Sequence, residues 1–223
     1  MMIGRKNFIL MKRRIQLLLI PLALLMGCSK NPDSAATSNS SPRPALTDEA
    51  RSAALQRGKA IAMETFSLLS SNLQSAIQQG GVSNALPFCS LAASPLTAGM
   101  AGKHGVTLRR ITHKARNPAG KADAIELGVL QQFRNSLEAT PTNPPPPIVT
   151  NLTAGTATFF APIVLNNELC LKCHGEPGKD IQPENVAVIQ RLYPQDEATG
   201  FKMGELRGAW RIDFPLVALP SGP

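Results

Sequence analysis

TATFFAPIVLNNELCLKCH, the stretch from residue 156 to residue 174, joins the two features that decide the fold of this chain. Residues 156–165 are rich in Thr, Phe, Ile and Val, which is typical of a β-strand. A second strand is predicted over residues 209–217. Between the two strands lies a C-x-x-C-H motif, Cys170-Leu171-Lys172-Cys173-His174. The motif therefore belongs to a β-structured part of the chain.

The residues upstream of this stretch carry helical patterns. A long helix is predicted to begin at Thr47, an N-cap residue, and to stop at Gly80-Gly81. A second helix, capped by Ser83, is predicted to carry Cys89 and to be limited or kinked by Pro95. The apolar face of the first helix is predicted from its spacing to comprise Ala62, Phe66, Leu69, Leu73 and Ala76.

Shorter elements alternate in the rest of the chain. Residues 106–111 are predicted as a strand, Arg116-Asn117-Pro118 as a turn, and residues 183–192 as a helix. The five prolines of residues 141–147 predict an extended loop. Helices come early and strands dominate late, which predicts an α+β domain. A further helix over residues 122–137 is predicted to bury Ile125, Leu127, Leu130 and Phe133.

The N-terminus has the pattern of an export signal. Basic Lys12-Arg13-Arg14 precedes an apolar run over residues 15–26, which is shorter than the roughly 20 residues that cross a bilayer. The run ends in Leu25-Met26-Gly27-Cys28, which resembles the lipobox of bacterial lipoproteins; an ordinary signal peptide or an uncleaved anchor is the alternative. We predict a signal peptide over residues 1–27, a disordered tether over 28–46 and a folded domain that contains the C-x-x-C-H motif over 47–219.

A lipidated Cys28 would hold the domain on a membrane without a transmembrane helix. We predict an exported protein that faces the periplasm, and Ser29 favours the outer membrane over the inner. The net charge of +8 is misleading, because the first 27 residues hold five of the 23 basic residues and none of the 15 acidic ones. The remaining +3 gives no reason to expect nucleic-acid binding.

The C-x-x-C-H motif indicates one covalently attached c-type haem. Cys170 and Cys173 lie one helical turn apart and are suited to add to the two haem vinyl groups, while His174 supplies the proximal nitrogen to iron. A redox-active Cys170–Cys173 disulfide is an alternative, but it leaves His174 unexplained. A zinc site is another alternative, but it needs a second pair of ligands.

Several segments that occur in order make the chain recognisable. Together with Cys89, they resemble a family of single-haem c-type proteins of unknown function with a PAS-like fold, first described in cyanobacteria and also found as the extracytoplasmic sensing part of some signalling proteins. The resemblance covers about residues 48–219. The segments are Arg116-Asn117-Pro118, Cys170 to Gly175, Tyr193-Pro194-Gln195-Asp196 and Gly200 to Ala209.

The resemblance implies a five-stranded antiparallel PAS-like sheet with long N-terminal helices packed around it. It also implies that His174 and a cysteine, which maps onto Cys89, are the two axial ligands of the haem iron. Pro87 departs from the family pattern two residues before that cysteine.

The residues themselves leave the role of Cys89 open. If Cys28 is lipidated and the motif cysteines form thioethers, Cys89 has no cysteine partner, so that it is either a small buried hydrophobe or an iron ligand. Arg109, Arg110 and Arg116 are candidates to pair with haem propionates, with surface solvation as the alternative. The rival distal ligands are His104 and His113, interpreted as surface residues, Met63 and Met100, interpreted as core residues, and Met203.

These features support three hypotheses about function. The first is a redox or diatomic-gas sensor-like module, which would pass a signal to an unknown redox or signalling protein. The alternative is a small electron-transfer lipoprotein, since most single c-type haems carry electrons. An enzyme such as a peroxidase ranks last, because the sequence offers no distal His/Arg or paired-carboxylate arrangement, and we predict that the chain is not an enzyme.

Overall fold

The structure is a computed structural model that describes residues 46–220. The predicted signal peptide, the predicted lipidation site Cys28 and the predicted tether up to residue 45 lie outside the described residues. Within the part that the structure describes, none of the helices has the length and apolarity of a membrane span.

Helices and an antiparallel sheet make up the described part of the chain, so the predicted α+β class is confirmed. The four strands lie in the order β1-β4-β3-β2, and every neighbouring pair is antiparallel. The elements are α1 (Asp48–His104), β1 (Thr107–Ile111), α2 (Ala124–Ala139), β2 (Ile148–Thr150), β3 (Thr156–Val164), α3 (Glu168–His174), α4 (Pro183–Leu192) and β4 (Leu206–Pro215).

The resemblance implied a fifth strand, and this expectation is wrong, because residues 46–220 form four strands only. The connection between β3 and β4 is occupied by helices α3 and α4, and the connection between β1 and β2 by α2. The proline-rich residues 141–147 precede β2 and leave it three residues long, since proline has no N–H to donate to a sheet.

Helix α1 consists of two arms, residues 48–79 and 82–104, which meet at a kink. Thr47 accepts a hydrogen bond from the Ala50 N–H at 3.2 Å, which confirms the predicted N-cap. The predicted stop at Gly80-Gly81 is confirmed as this kink, because Gly81 has a φ of 72°, a backbone conformation that favours glycine. Pro95 does not limit the second helix, because the second arm continues to His104, and the backbone angles within α1 that depart from helical values are those of Gly80 and Gly81.

The end of the second arm returns to the middle of the first. Lys103 donates to Glu64, and His104 Nε2 lies 2.8 Å from Glu64 Oε2. His104, predicted as a surface residue, is the last residue of α1 and is partly buried. Gly105, in the left-handed conformation with a φ of 63°, ends the helix.

Each face of the sheet is covered by different elements, since successive side chains of a strand point to opposite faces. The α1 face carries the core residues Phe159, Trp210 and Ile212, and the α2 face carries Phe160 and Ala209. Helix α4 packs on the second arm of α1 in a smaller apolar cluster with Leu86, Ile181 and Ile189.

The predicted apolar faces are partly wrong. Phe66 is 57% exposed, and Ile125 and Leu127 are 60% and 44% exposed. Helix α2 is rotated about its axis relative to the prediction, so that it buries Leu130, Phe133 and Leu137 together with the carboxylate of Glu126. The cost of burying this carboxylate is offset by two arginines of the sheet, which form ion pairs with it.

Candidate functional site

Helix α3 carries the two thiols and the imidazole of the C-x-x-C-H motif. Asn167 caps the helix by accepting a hydrogen bond from the Leu169 N–H at 2.8 Å. Cys170 packs against the apolar cluster of Leu165, Ala198 and Phe201, whereas Cys173 packs against the cluster of Leu86, Ile181 and Ile189. The two thiols are free and lie one turn apart on one short helix.

The His174 ring is held in one tautomer by a backbone carbonyl. Its Nδ1 lies 2.8 Å from the Ala198 carbonyl oxygen, which can only accept, so Nδ1 carries the proton and Nε2 keeps its lone pair. Burial, followed by the positive charges of Arg207 and Arg116, holds the pKa of His174 well below its usual value. The neutral imidazole with a free Nε2 is the form that binds a metal ion.

Cys89 lies on the second arm of α1, and the fold brings it into the neighbourhood of the motif. Burial raises the pKa of the Cys89 thiol, and the charges of Arg110 and Arg116 oppose this rise. Burial also raises the pKa of Cys173 to about 11; the charge of Arg116 opposes this rise, and the charge of Cys89 adds to it. The fold therefore brings Cys89 close enough to Cys173 for the charge of Cys89 to influence the pKa of Cys173, although 84 positions separate them in sequence.

Three arginines surround these groups. Arg110 stands on the α1 face of β1, with its guanidinium carbon 5.8 Å from the Trp210 ring centroid. Arg116 forms a nearly buried ion pair with Asp196 at 3.1 Å. Burial lowers the pKa of Arg207 to about 10, with repulsion from Arg116 and Arg110 adding to the effect.

Two of these arginines were candidates from sequence, and the third was not. Arg207 donates to Thr112 Oγ1 at 2.8 Å, and its buried Nε has no hydrogen-bond partner among residues 46–220. Its position inside the Gly200 to Ala209 segment was the available signal. Arg109 lies on the opposite face of β1 and binds Glu126 at 2.7 Å, which removes it from the neighbourhood of Cys89.

The rival distal ligands lie in different environments. Met100 is a core residue as predicted, but Met63 is 71% exposed, so its predicted core position is wrong. Met203 is 43% exposed, and His104 pairs with Glu64. His113, predicted as a surface residue, is partly buried and stands edge-on to the Phe201 ring, with 5.8 Å between the centroids.

The donor set differs from that of a zinc site. Within residues 46–220, no group of three or more His, Cys, Asp or Glu side chains is arranged to hold a metal ion. The site instead offers two free thiols, which can bond to two electrophilic carbons, and one neutral imidazole, which can bind one metal centre. The cluster of guanidinium groups can pair with anionic substituents of the same bound group. The orphaned Nε of Arg207 is a hydrogen-bond donor that such an anionic substituent would satisfy.

Two comparisons with known proteins identify the family and the fold of the chain. The model of the family described as Tll0287-like matches residues 43–215. The crystal structure of the cyanobacterial heme-protein Tll0287 has the same fold, with a TM-score of 0.52 and 24% sequence identity over 72% of this chain and 94% of that chain. No curated protein sequence matches significantly. Since the family model covers more than half of the sequence, the chain belongs to the Tll0287-like family.

Proposed function

We propose that this chain binds one haem c covalently and works as a redox or diatomic-gas sensor-like module. The observation that carries the proposal is the state of His174. Its Nδ1 proton is committed to the Ala198 carbonyl, so that Nε2 is left as a donor to iron, directly beside two free thiols.

Cys170 and Cys173 supply the two attachment points. Each S–H adds across one vinyl C=C bond: sulfur bonds one carbon, the proton goes to the other, and no oxidant is consumed. Because Cys170 and Cys173 pack in two different apolar clusters, each thiol has its own fixed surroundings during attachment. Arg207, Arg110 and Arg116 would pair with the propionates, and Arg207 offers its unpartnered Nε.

Cys89 is proposed as the second axial ligand. Burial raises the pKa of its thiol, the positive charges of Arg110 and Arg116 oppose that rise, and coordination to iron would itself remove the thiol proton. A haem with thiolate and imidazole ligands would favour ferric iron and, once the thiolate leaves on reduction, would take up a diatomic gas. We propose that the chain catalyses no reaction. We also propose that its signal passes to a separate redox or signalling protein.

The N-terminal pattern supports a proposal about location. We propose that Cys28 is lipidated after cleavage of residues 1–27 and anchors the domain at the periplasmic side of a membrane, with the outer membrane favoured. Metabolic labelling with a fatty acid tests this proposal. Label should enter the wild-type chain and not Cys28→Ala, and an unlabelled wild type contradicts the anchor.

The haem proposal is tested by producing the chain in a host with haem-ligation machinery and weighing the denatured protein. One extra porphyrin should appear in the wild type and disappear from the double variant Cys170→Ser/Cys173→Ser. A wild type of unmodified mass contradicts covalent attachment.

Electron-spin-resonance spectra test the distal ligand. The low-spin thiolate signal of the ferric protein should be lost in Cys89→Ser and kept in His113→Gln, which removes a rival ligand. A thiolate signal that survives Cys89→Ser contradicts the assignment. A midpoint potential near that of common periplasmic donors, with no gas binding after reduction, would indicate an electron carrier instead.

A further inference from the structure

The loop of residues 196–201, here called the strap, is bonded to the C-terminal end of α3. The Gly200 N–H donates to the Gly175 carbonyl at 2.8 Å, and the Phe201 N–H donates to the His174 carbonyl at 2.9 Å. The third bond joins His174 Nδ1 to the Ala198 carbonyl at 2.8 Å. The orientation of the His174 imidazole therefore depends on where the strap lies.

Phe201, the last residue of the strap, lies beside the His174 imidazole and restricts its rotation. It is 3% exposed, and its ring stands nearly perpendicular to the His174 ring, at 84° with 6.3 Å between the centroids. The imidazole is thus hydrogen-bonded to the strap through Nδ1 and makes an edge-type ring contact with Phe201. Displacement of the strap would change both contacts together.

The strap itself is held by the residues that follow β1. Lys114 donates from Nζ to the Thr199 carbonyl, and the same ammonium lies 4.5 Å from the Phe201 ring centroid. The Glu197 N–H donates to the Ala115 carbonyl at 2.9 Å. Other side chains reach the strap as well, because Arg116 pairs with Asp196, Lys121 pairs with Glu197, and the Arg207 guanidinium carbon lies 5.3 Å from the Phe201 ring centroid. Among residues 46–220, Lys114 is the side chain that contacts both the strap backbone and the ring that borders His174.

We propose that Lys114 is a positioning residue that acts through the strap to fix the plane and tautomer of the His174 imidazole. The inference rests on the proposed role of His174 as an iron ligand. A hydrogen bond to the second ring nitrogen of a ligating histidine sets the ring orientation and its donor strength, so the effect should reach the metal. Lys114 is partly buried, and its cation–π contact with Phe201 strengthens as water is excluded.

The test compares three variants of the full chain after haem attachment. Lys114→Met removes the ammonium, Lys114→Arg keeps a cation that can donate and stack, and Lys202→Met removes an exposed cation that follows the strap directly. Denaturing mass spectra first establish that each variant carries haem. Electron-spin-resonance g values of the ferric protein then report the ligand planes.

We expect one set of low-spin g values in the wild type, in Lys114→Arg and in Lys202→Met. In Lys114→Met we expect that set to be shifted or replaced by several. Unchanged g values in Lys114→Met overturn the inference. An equal shift in Lys202→Met overturns it too, because the cause would then be charge, and so does failure of Lys114→Arg to restore the wild-type set.

Two further measurements keep the inference testable. If Lys114→Met does not fold, Phe201→Leu takes its place, and unchanged g values in that variant contradict the strap as the route to His174. If the wild type takes up no haem, the proposed function fails, and imidazole ¹⁵N spectra of the haem-free chain decide separately. The Nδ1–H tautomer of His174 should dominate in the wild type and become mixed in Lys114→Met, whereas the same tautomer in both overturns the inference.

Discussion

Arg116 Nη2 donates to the carbonyl oxygen of Cys173 at 2.6 Å, and the same nitrogen lies 3.1 Å from Asp196 Oδ2. One guanidinium therefore joins the helix that carries the C-x-x-C-H motif to the first residue of the strap. Both charged side chains of the ion pair are nearly buried, at 12% and 7% exposure. Such a pair is expensive to break, because the remaining charge has lost its water.

Arg116→Leu should lower the free energy of unfolding by about 3–5 kcal/mol, since it leaves the Asp196 carboxylate buried without its partner. Denaturant unfolding measures the change, with both proteins in the same haem state. Lys121→Ala is the matched control, because its pair with Glu197 is exposed on both sides and should not matter measurably. Equal losses in the two variants would show that burial of the pair is unimportant.

Glu126→Leu should destabilise the fold by about 3 kcal/mol, the lower end for a broken buried pair. The carboxylate is fully buried between Arg109 and Arg211, but both arginines keep some contact with solvent. Thermal or denaturant unfolding reports the change. Glu138→Ala, at an exposed position of the same helix, should be close to neutral. A neutral Glu126→Leu would mean that apolar packing replaces the ion pairs fully.

Gly58→Ala should destabilise the protein by about 1–3 kcal/mol, through overpacking. A Cβ at this position would lie 2.4 Å from Cγ of Phe159, a buried core residue of β3. Gly99→Ala in the second arm of α1 is the control, since its Cβ would meet no atom within 4 Å. We expect the control to gain up to about 1 kcal/mol from helix propensity. Stabilisation of both variants would contradict the close approach of α1 to the sheet.

Cys173 should react slowly with iodoacetamide in the haem-free folded chain. Burial raises its pKa from 9.0 to about 11, so at pH 8 the reactive thiolate is about 100-fold scarcer than for an unperturbed thiol. The difference disappears as the pH rises through the folded pKa, because the thiolate then forms in both states. Mass spectrometry of digests measures the rate, and the urea-unfolded chain is the reference. Equal rates in folded and unfolded chains at pH 8 would exclude a protected thiol.

Several features could be predicted from local sequence alone. The C-x-x-C-H motif, the Thr47 cap, the Gly80-Gly81 break and helix α4 over Pro183–Leu192 depend on neighbours within a turn or two. The family was predicted from short segments in a fixed order, and the family model confirms it. In each case the physical cause lies inside the segment itself: a capping side chain, a glycine conformation or a fixed spacing of thiols.

Other features depended on partners distant in sequence. Helical periodicity predicts Phe66, Ile125 and Met63 in the core, but all three are exposed. The orientation of a helix about its axis is set by the elements that pack against it, and these are distant in sequence. Glu126 could not be predicted as buried, since its burial depends on two arginines from separate strands of the sheet.

The sequence by itself determined which groups this protein brings to its site: two thiols and an imidazole on one turn, and a spare cysteine upstream. Only the tertiary structure decided which charges and carbonyls surround them. Strand β1 turns Arg110 toward Cys89 and Arg109 away from it, and the strap places the Ala198 carbonyl at His174. The spacing of these groups along the chain is a local property of the sequence. The orientation of their side chains and their electrostatic environment arise from contacts that exist only when remote segments fold together.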